Sequence, residues 1–334
     1  MLTRGDAKAT PSRTGSGIGL VLGAGGVLGA CWSIGALRAL ETVGGCDPRT
    51  CDTIVGTSSG SVISAMLACG TSAQDLDASQ RCPDEGVLAE HAFNCANPLL
   101  LRSPLSLPGL GSPRLLARCL ANPLGAPLLH WCTALAPCGR GSLGALRELM
   151  EHIAGSHSAR SPLKVVATDY DDGRREVFHP GTDDALTLAE AVVASCSVPG
   201  LFPPVTIAGR RYVDGAVGSS TNANLLLDED VDTAIVVAPM AAKSVDRPLS
   251  PLTHAERLLR RRVTDRLTAE VAELHEAGID TTVLAPTAED LAAIGVNMLN
   301  CSRRLSVMDT ALRTTSQQLE EDPPRVRTSR ARSM

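Results

Sequence analysis

The pentapeptide Gly56-Thr57-Ser58-Ser59-Gly60 constrains this chain more than any other feature, because a strand-like run enters it and a helix-like run leaves it. Asp52-Thr53-Ile54-Val55 before it is short and β-branched. Ser61-Val62-Ile63-Ser64-Ala65-Met66-Leu67-Ala68 after it is small and apolar, as a buried helix requires. A Gly-x-Ser-x-Gly between strand and helix describes a nucleophile elbow, a tight turn in which Gly56 and Gly60 leave room that side chains would close. Ser58 would then carry its hydroxyl above the sheet edge. Its own amide and the next ones would lie at a helix N-terminus that favours developing negative charge. A Gly/Ser turn that merely opens a buried helix fits the same five residues, so the rest of the chain must decide.

A serine nucleophile needs donors for an oxyanion and a base for its proton. Ile18-Gly19-Leu20-Val21-Leu22 reads as a first strand, and Gly23-Ala24-Gly25-Gly26-Val27-Leu28-Gly29 follows it into a helix over 28–42. A glycine-rich loop entering a helix exposes consecutive backbone N–H groups with no side chain in the way. The rival reading is a dinucleotide-binding Gly-x-Gly-x-x-Gly, but leucine stands at position 28 where the last glycine belongs. No acidic ribose contact is clearly placed about twenty residues on, since Glu41 falls inside the helix and Asp47 follows Gly44-Gly45.

None of the seven histidines sits in a catalytic motif: His254 and His275 lie on a charged helix, His152 and His157 on or just after another, and His179 precedes Pro180. By contrast, Arg211-Tyr212-Val213-Asp214-Gly215-Ala216 places an acid at the end of a short strand, before a glycine turn. That is where α/β folds gather catalytic groups. An Asp-Gly pair is also an ordinary turn.

Composition narrows the function classes. A net charge of -5 argues against general nucleic-acid binding. Eleven cysteines without a Cys-x-x-Cys pair, and a polar Met1–Ser16 lacking an apolar signal core, favour a reducing cytoplasmic setting and disfavour zinc. Residues 14–37 carry no charge, as a membrane span would, but their cluster of glycines reads as strand, loop and helix.

Further apolar strands are expected at Leu163–Thr168, Thr233–Ala238 and Asp280–Ala285, interleaved with helices. This predicts an α/β fold of three layers around a central, mostly parallel sheet. Residues 1–16 and 318–334 read as disordered tails. The stretch 71–141, rich in Pro, Leu and Cys, reads as a helical insertion or cap within a catalytic domain over 17–240. Residues 241–317 read as a C-terminal helical extension. Within it, His254–Ala277 forms a charged helix with Glu256–Arg260 and Arg266–Glu270 spaced as i,i+4 pairs and an arginine face expected to be solvated.

The glycine loop, Gly-Thr-Ser-Ser-Gly and Asp214-Gly215-Ala216, in this order and spacing, resemble the patatin-like phospholipases of the bacterial type. Ala194-Ser195-Cys196-Ser197-Val198-Pro199-Gly200-Leu201-Phe202-Pro203-Pro204, Val166-Ala167-Thr168-Asp169 and Thr221-Asn222-Ala223-Asn224 also fit that family. The resemblance spans about residues 17–240. It implies a lipid acyl hydrolase working through a Ser58–Asp214 dyad, without histidine, metal or cofactor. It makes Gly25, Gly26 and Val27 the oxyanion hole, with Gly23, Gly29, Gly56, Gly60 and Gly215 as motif glycines. The expected partner is a lipid or acyl ester substrate, met in the cytoplasm or by transient contact at a membrane surface.

Two positions depart from the family's Gly-Gly-Gly-x-Arg/Lys-Gly loop. Ala24 replaces its first glycine, which is tolerable at negative φ. Leu28 replaces its cation, which leaves neutral acyl esters as plausible as phospholipids. A small-molecule esterase on the same dyad, and a catalytically weak lipid-binding protein, remain as alternatives.

Overall fold

The computed structural model describes residues 17–82, 111–123, 125–156, 162–182, 186–243 and 250–324. The parallel core of the sheet is built from β1 (Ile18–Leu22), β2 (Thr53–Thr57), β3 (Leu163–Asp169), β7 (Thr233–Val237) and β8 (Asp280–Leu284). Their order is β3-β2-β1-β7-β8, every neighbouring pair parallel. Three further strands are antiparallel: β4 (Arg175–Phe178) and β6 (Arg210–Asp214) on β3, and β5 (Val205–Ile207) on β6. The fold is α/β, with helices on both faces of a mostly parallel sheet.

Strand alternation assigns the two cores. Along β1, Leu20 and Leu22 face one cluster and Val21 the other. The first face is covered by α1 (Gly26–Thr42), α2 (Ser59–Ala68), α6 (Gly144–Ser156), α7 (Leu188–Ser195), the short α9 (Ala288–Ile294) and α10 (Arg304–Glu321). Their Leu37, Ile63, Met150, Val192 and Met308 are buried together. The second face is covered by a 3-10 segment, Ala223–Asp228, and by α8 (Pro251–Glu276), through Leu226, Leu267 and Leu274.

In the stretch expected to be helical, α3 (Ala73–Arg81) packs beside α1 and α10. Its start is closed by a capping box between Ser72 and Asp75. The helices α4 (Pro113–Ala121) and α5 (Leu128–Leu135) pack on each other, and α5 reaches the turn at 215–217. Residues 83–110 and 124 of that stretch, residues 1–16 and residues 325–334 lie outside the described residues.

Residues 241–317 hold the strand expected at Asp280–Ala285 as well as helices, with Thr281, Thr282 and Val283 continuing the parallel ladder beside β7. Two expectations need correction. The C-terminal tail does not begin at 318: α10 runs to Glu321, with Leu319 in the core and Gln318 Nε2 donating to Ala285 O at 3.2 Å. The arginine face of α8 is not simply solvated, since Arg257 and Arg260 are 4% and 1% exposed. Both pair with Glu256, and Arg260 reaches backbone carbonyls after β7. The second expected pair, Arg266–Glu270, forms at 3.3 Å.

Candidate active site

The elbow forms where β2 ends. Ser58 has φ +53° and ψ −126°, a conformation that costs a non-glycine residue about 1–3 kcal/mol and persists only where the surroundings impose it. Those surroundings are specific. The Ser58 amide donates to Ser195 Oγ at 2.8 Å, and Ser195 Oγ donates onward to Val166 O at 2.6 Å. Ser61 Oγ donates to Ser58 O at 2.7 Å. Gly60 is required by close approach, for a Cβ there would lie 2.1 Å from the carbonyl oxygen of Leu22. The start of α2 therefore lies directly against the end of β1 and its glycine loop.

Asp214 reaches the same point from the antiparallel side. Its Oδ2 accepts from Ser58 Oγ at 2.6 Å, and its Oδ1 accepts from the Ala216 amide at 2.8 Å. Its own amide is held by Ser197 O at 3.0 Å. Ser58 and Asp214 are 7% and 4% exposed, so the pair is shielded from bulk water. Burial pushes the Asp214 carboxyl up to about 6, against the opposing pull of the bonds from Ser58 and Ala216. Neighbouring Cys196 is raised as well, by burial and by the Asp214 charge, which keeps it a neutral thiol. Neither Ser58 nor Asp214 bonds to a histidine among the described residues.

The glycine loop is pinned by some of its amides and leaves others open. Gly23 N donates to Val237 O, Ala24 N to Ser220 O, Leu28 N to Met298 O and Gly29 N to Gly25 O. The amides of Gly25, Gly26 and Val27 meet no acceptor among the described residues. Gly26 has φ +57°, the left-handed conformation that glycine adopts at no cost, which lets the chain turn into α1 with these three N–H groups unspent. Ala24 is absent from the residues with positive φ, so its methyl group is accommodated. On the other side of the site, the amides of Ser59 and Gly60 are also without acceptors among the described residues. The amide of Ser58 itself is not open, contrary to expectation, because Ser195 occupies it.

Patatin-like phospholipases match this sequence over residues 20–227, a span that contains the glycine loop, the elbow and Asp214. The chain belongs to that family. Membership supports a lipid hydrolase in general terms. Among solved structures, the chain is similar to VipD from Legionella pneumophila, at 15% identity and a TM-score of 0.43, over 92% of this chain and 67% of that one. It is also similar to the type III effector protein ExoU, at 17% identity and a TM-score of 0.35, over 91% of this chain and 53% of that one. The chain thus spans about two thirds of the first and about half of the second.

Within this patatin-like site, Leu28 does not stand where its departure from the family loop suggested. It lies in the first turn of α1 and is fully buried in the core, so its side chain presents no apolar face to a substrate. The 219–224 loop is tied down by residues that sequence reasoning left unassigned. Asn222 Nδ2 donates to Thr57 Oγ1 at 3.1 Å and to Ser219 O at 2.8 Å. Glu270 of α8, with no exposed surface, accepts from Thr221 Oγ1 and the Ala223 amide, both at 2.8 Å. In the sequence, Ser195 stands out only as a member of the family-like segment Ala194–Pro204. Its place in a small-residue helix end, four residues before Pro199-Gly200, carries no local signal that it holds the elbow. Among the described residues no cluster of three or more His, Cys, Asp or Glu is placed to hold a metal ion. No described helix is long and apolar enough to cross a membrane.

Proposed function

We propose that this chain hydrolyses acyl esters of lipids by a two-residue mechanism in which Ser58 is the nucleophile and Asp214 its base. The reading rests on the 2.6 Å bond between Ser58 Oγ and Asp214 Oδ2 inside a buried site. Ser58 Oγ attacks the ester carbonyl while Asp214 takes its proton. The carbonyl oxygen becomes an oxyanion beside the unspent amides of Gly25, Gly26 and Val27, which act as preorganised donors. Collapse expels the alcohol, which takes the proton back from Asp214. Water then attacks the acyl-enzyme carbonyl while Asp214 accepts its proton, and the second collapse releases the fatty acid as Asp214 returns that proton to Ser58 Oγ.

An aspartate of ordinary pKa is a weak base for a hydroxyl. Burial that raises Asp214 to about 6 brings it nearer the operating pH while leaving it ionised at neutrality. A carboxylate can thus do work usually given to histidine. The test is covalent: a fluorophosphonate probe bonds an activated serine and ignores an inert one. Labelling of the wild type at Ser58, lost in Ser58→Ala together with esterase activity, is the expected result. Labelling confined to another serine, or none, refutes the reading.

A further inference from the structure

The oxyanion loop lies within the family-matched residues 20–227, yet two of the surfaces that hold it lie beyond them. Pro239, just after β7, presses on the loop: a Cβ at Gly25 would lie 2.8 Å from Pro239 Cγ, and one at Gly29 3.3 Å from Pro239 Cβ. Met298 supplies the second surface. Its carbonyl oxygen accepts the Leu28 amide at 2.9 Å, and a Cβ at Gly26 would lie 3.5 Å from Met298 Cβ. These contacts fix the direction of the three amides on which the proposed chemistry depends.

One side chain touches both surfaces. Arg260 of α8 donates from Nη1 to Pro239 O at 2.7 Å and to Ala241 O at 3.1 Å, and from Nη2 to Met298 Sδ at 3.5 Å. Its Nε is paired with Glu256, one turn earlier on the same helix. The guanidinium is 1% exposed. A rigid planar fork with several donors can join three acceptors in a fixed arrangement, which a lysine ammonium on a flexible stem cannot reproduce. Burying a charge is costly unless its partners are well placed, and here those partners are the two clamps of the loop.

We propose that Arg260 is a positioning residue for the oxyanion hole: it locks Pro239 and Met298 in place, and through them orients the amides of Gly25, Gly26 and Val27. This rests on the hydrolase reading above. It assigns a role in turnover to the part of the chain that follows the family match.

Arg260→Lys and Arg260→Gln, made in the full chain, test it on a p-nitrophenyl ester of medium chain length. Rates are divided by the concentration of Ser58 sites titrated with a fluorophosphonate probe, so that unfolded molecules are not counted. Turnover per titrated site is expected to fall about ten- to a hundredfold with KM moving less than about threefold, because an oxyanion donor acts in the transition state. Affinity for a trifluoromethyl ketone, which forms the tetrahedral adduct, should fall in step. Glu256→Gln keeps Arg260 but loosens its hold, and serves if the Arg260 variants do not fold; a loss of about three- to tenfold is expected. Turnover per titrated site equal to wild type, with only melting temperature and titratable fraction reduced, makes Arg260 merely structural and overturns the proposal. Ser58→Ala runs alongside. A wild type that neither labels nor turns over removes the hydrolase reading and the role of Arg260 with it. A wild type dependent on Ser58 but indifferent to Arg260 removes the second alone.

Discussion

Thr57 and Asp214 occupy successive positions along one edge of β3, Thr57 opposite Val166 and Asp214 opposite Ala167. The arrangement follows from the pairing of β3. Its antiparallel neighbour β4 runs from Val165 to Thr168 on one edge, so β2 and β6, which overlap that stretch, must share the other. β2 fills this edge up to Val166 and β6 takes over at Ala167. Ser58, the residue after Thr57, therefore emerges where the parallel strand ends and the antiparallel strand brings in its acid. A main-chain register sets the 2.6 Å contact between the two side chains.

Replacing Ser58 separates chemistry from fold. Ser58→Ala should abolish ester hydrolysis and fluorophosphonate labelling with little change in melting temperature. Ser58→Gly should be equally inactive yet more stable than the alanine variant by about 1 kcal/mol, since glycine tolerates φ +53°. Equal stability of the two variants in denaturant titrations would mean that the elbow stores no strain.

Asp214→Asn should lower turnover by about 10²–10⁴-fold, whereas no single histidine substitution should do so. The same variant should be more stable than wild type at neutral pH. The native carboxyl is raised from 3.8 to about 6, so the folded state holds its proton more tightly than the unfolded state between those values. Stability from this group is complete below the lower value, falls as pH rises through the window and levels off above it. At about 1.4 kcal/mol per pH unit, the neutral amide should gain up to about 3 kcal/mol at pH 8. Urea titrations at pH 4 and pH 8 measure the difference, and a gain that does not grow with pH contradicts the raised carboxyl.

Activity should follow the same titration in the opposite sense. The base must be ionised, so kcat/KM should rise about tenfold per pH unit below about 6 and reach a plateau above it. Carboxyl ionisation carries little enthalpy, so this limb should hardly move between 15 and 35 °C. A limb that shifts with temperature as an imidazole does would assign the base to a histidine.

The five parallel strands and the two turns that bring Ser58 and Asp214 together were legible in the sequence because each is encoded locally. Short runs rich in Val, Ile, Leu and Thr mark β1, β2, β3, β7 and β8, and the elbow and Asp-Gly turn mark the ends where side chains gather. What supports them is not local. Ser195 is 137 residues from Ser58, and Glu270 is 49 from Thr221. Nothing in a small-residue helix end or a charged helix announces such a partner. Arg260 shows the limit best: its i,i+4 spacing from Glu256 was visible, but the same pattern occurs on solvated helices. Only the packing of α8 against the segment after β7 removes it from water.

Ser195 should be the most sensitive of these supports. Ser195→Ala deletes both the acceptor for the Ser58 amide and the donor to Val166 O, leaving two buried backbone groups without partners. The expected cost is about 1–3 kcal/mol in stability. Turnover should fall about tenfold as the elbow loosens. A variant with wild-type melting temperature and turnover would show that the elbow is held by α2 alone.

Leu28 offers the sharpest contrast between sequence and structure. As a departure from a loop that ordinarily carries a cation, it invites Leu28→Arg as a way to restore phospholipid preference. The structure gives that substitution a different outcome. Leu28 has no exposed surface and lies in the same buried cluster as Leu20, Leu22 and Trp32. An arginine there would put an unpaired charge into an apolar core, at a cost of about 4 kcal/mol or more. The variant should therefore lose cooperative unfolding or solubility, with no readable change in headgroup selectivity. Leu28→Met, which conserves volume, should cost less than about 1.5 kcal/mol and leave the ratio of phospholipid to neutral ester turnover unchanged. Matched acyl chains in mixed micelles give that ratio without interference from interface quality. A soluble Leu28→Arg protein that unfolds like wild type and gains phospholipid preference would place the side chain in the site and take it out of the core.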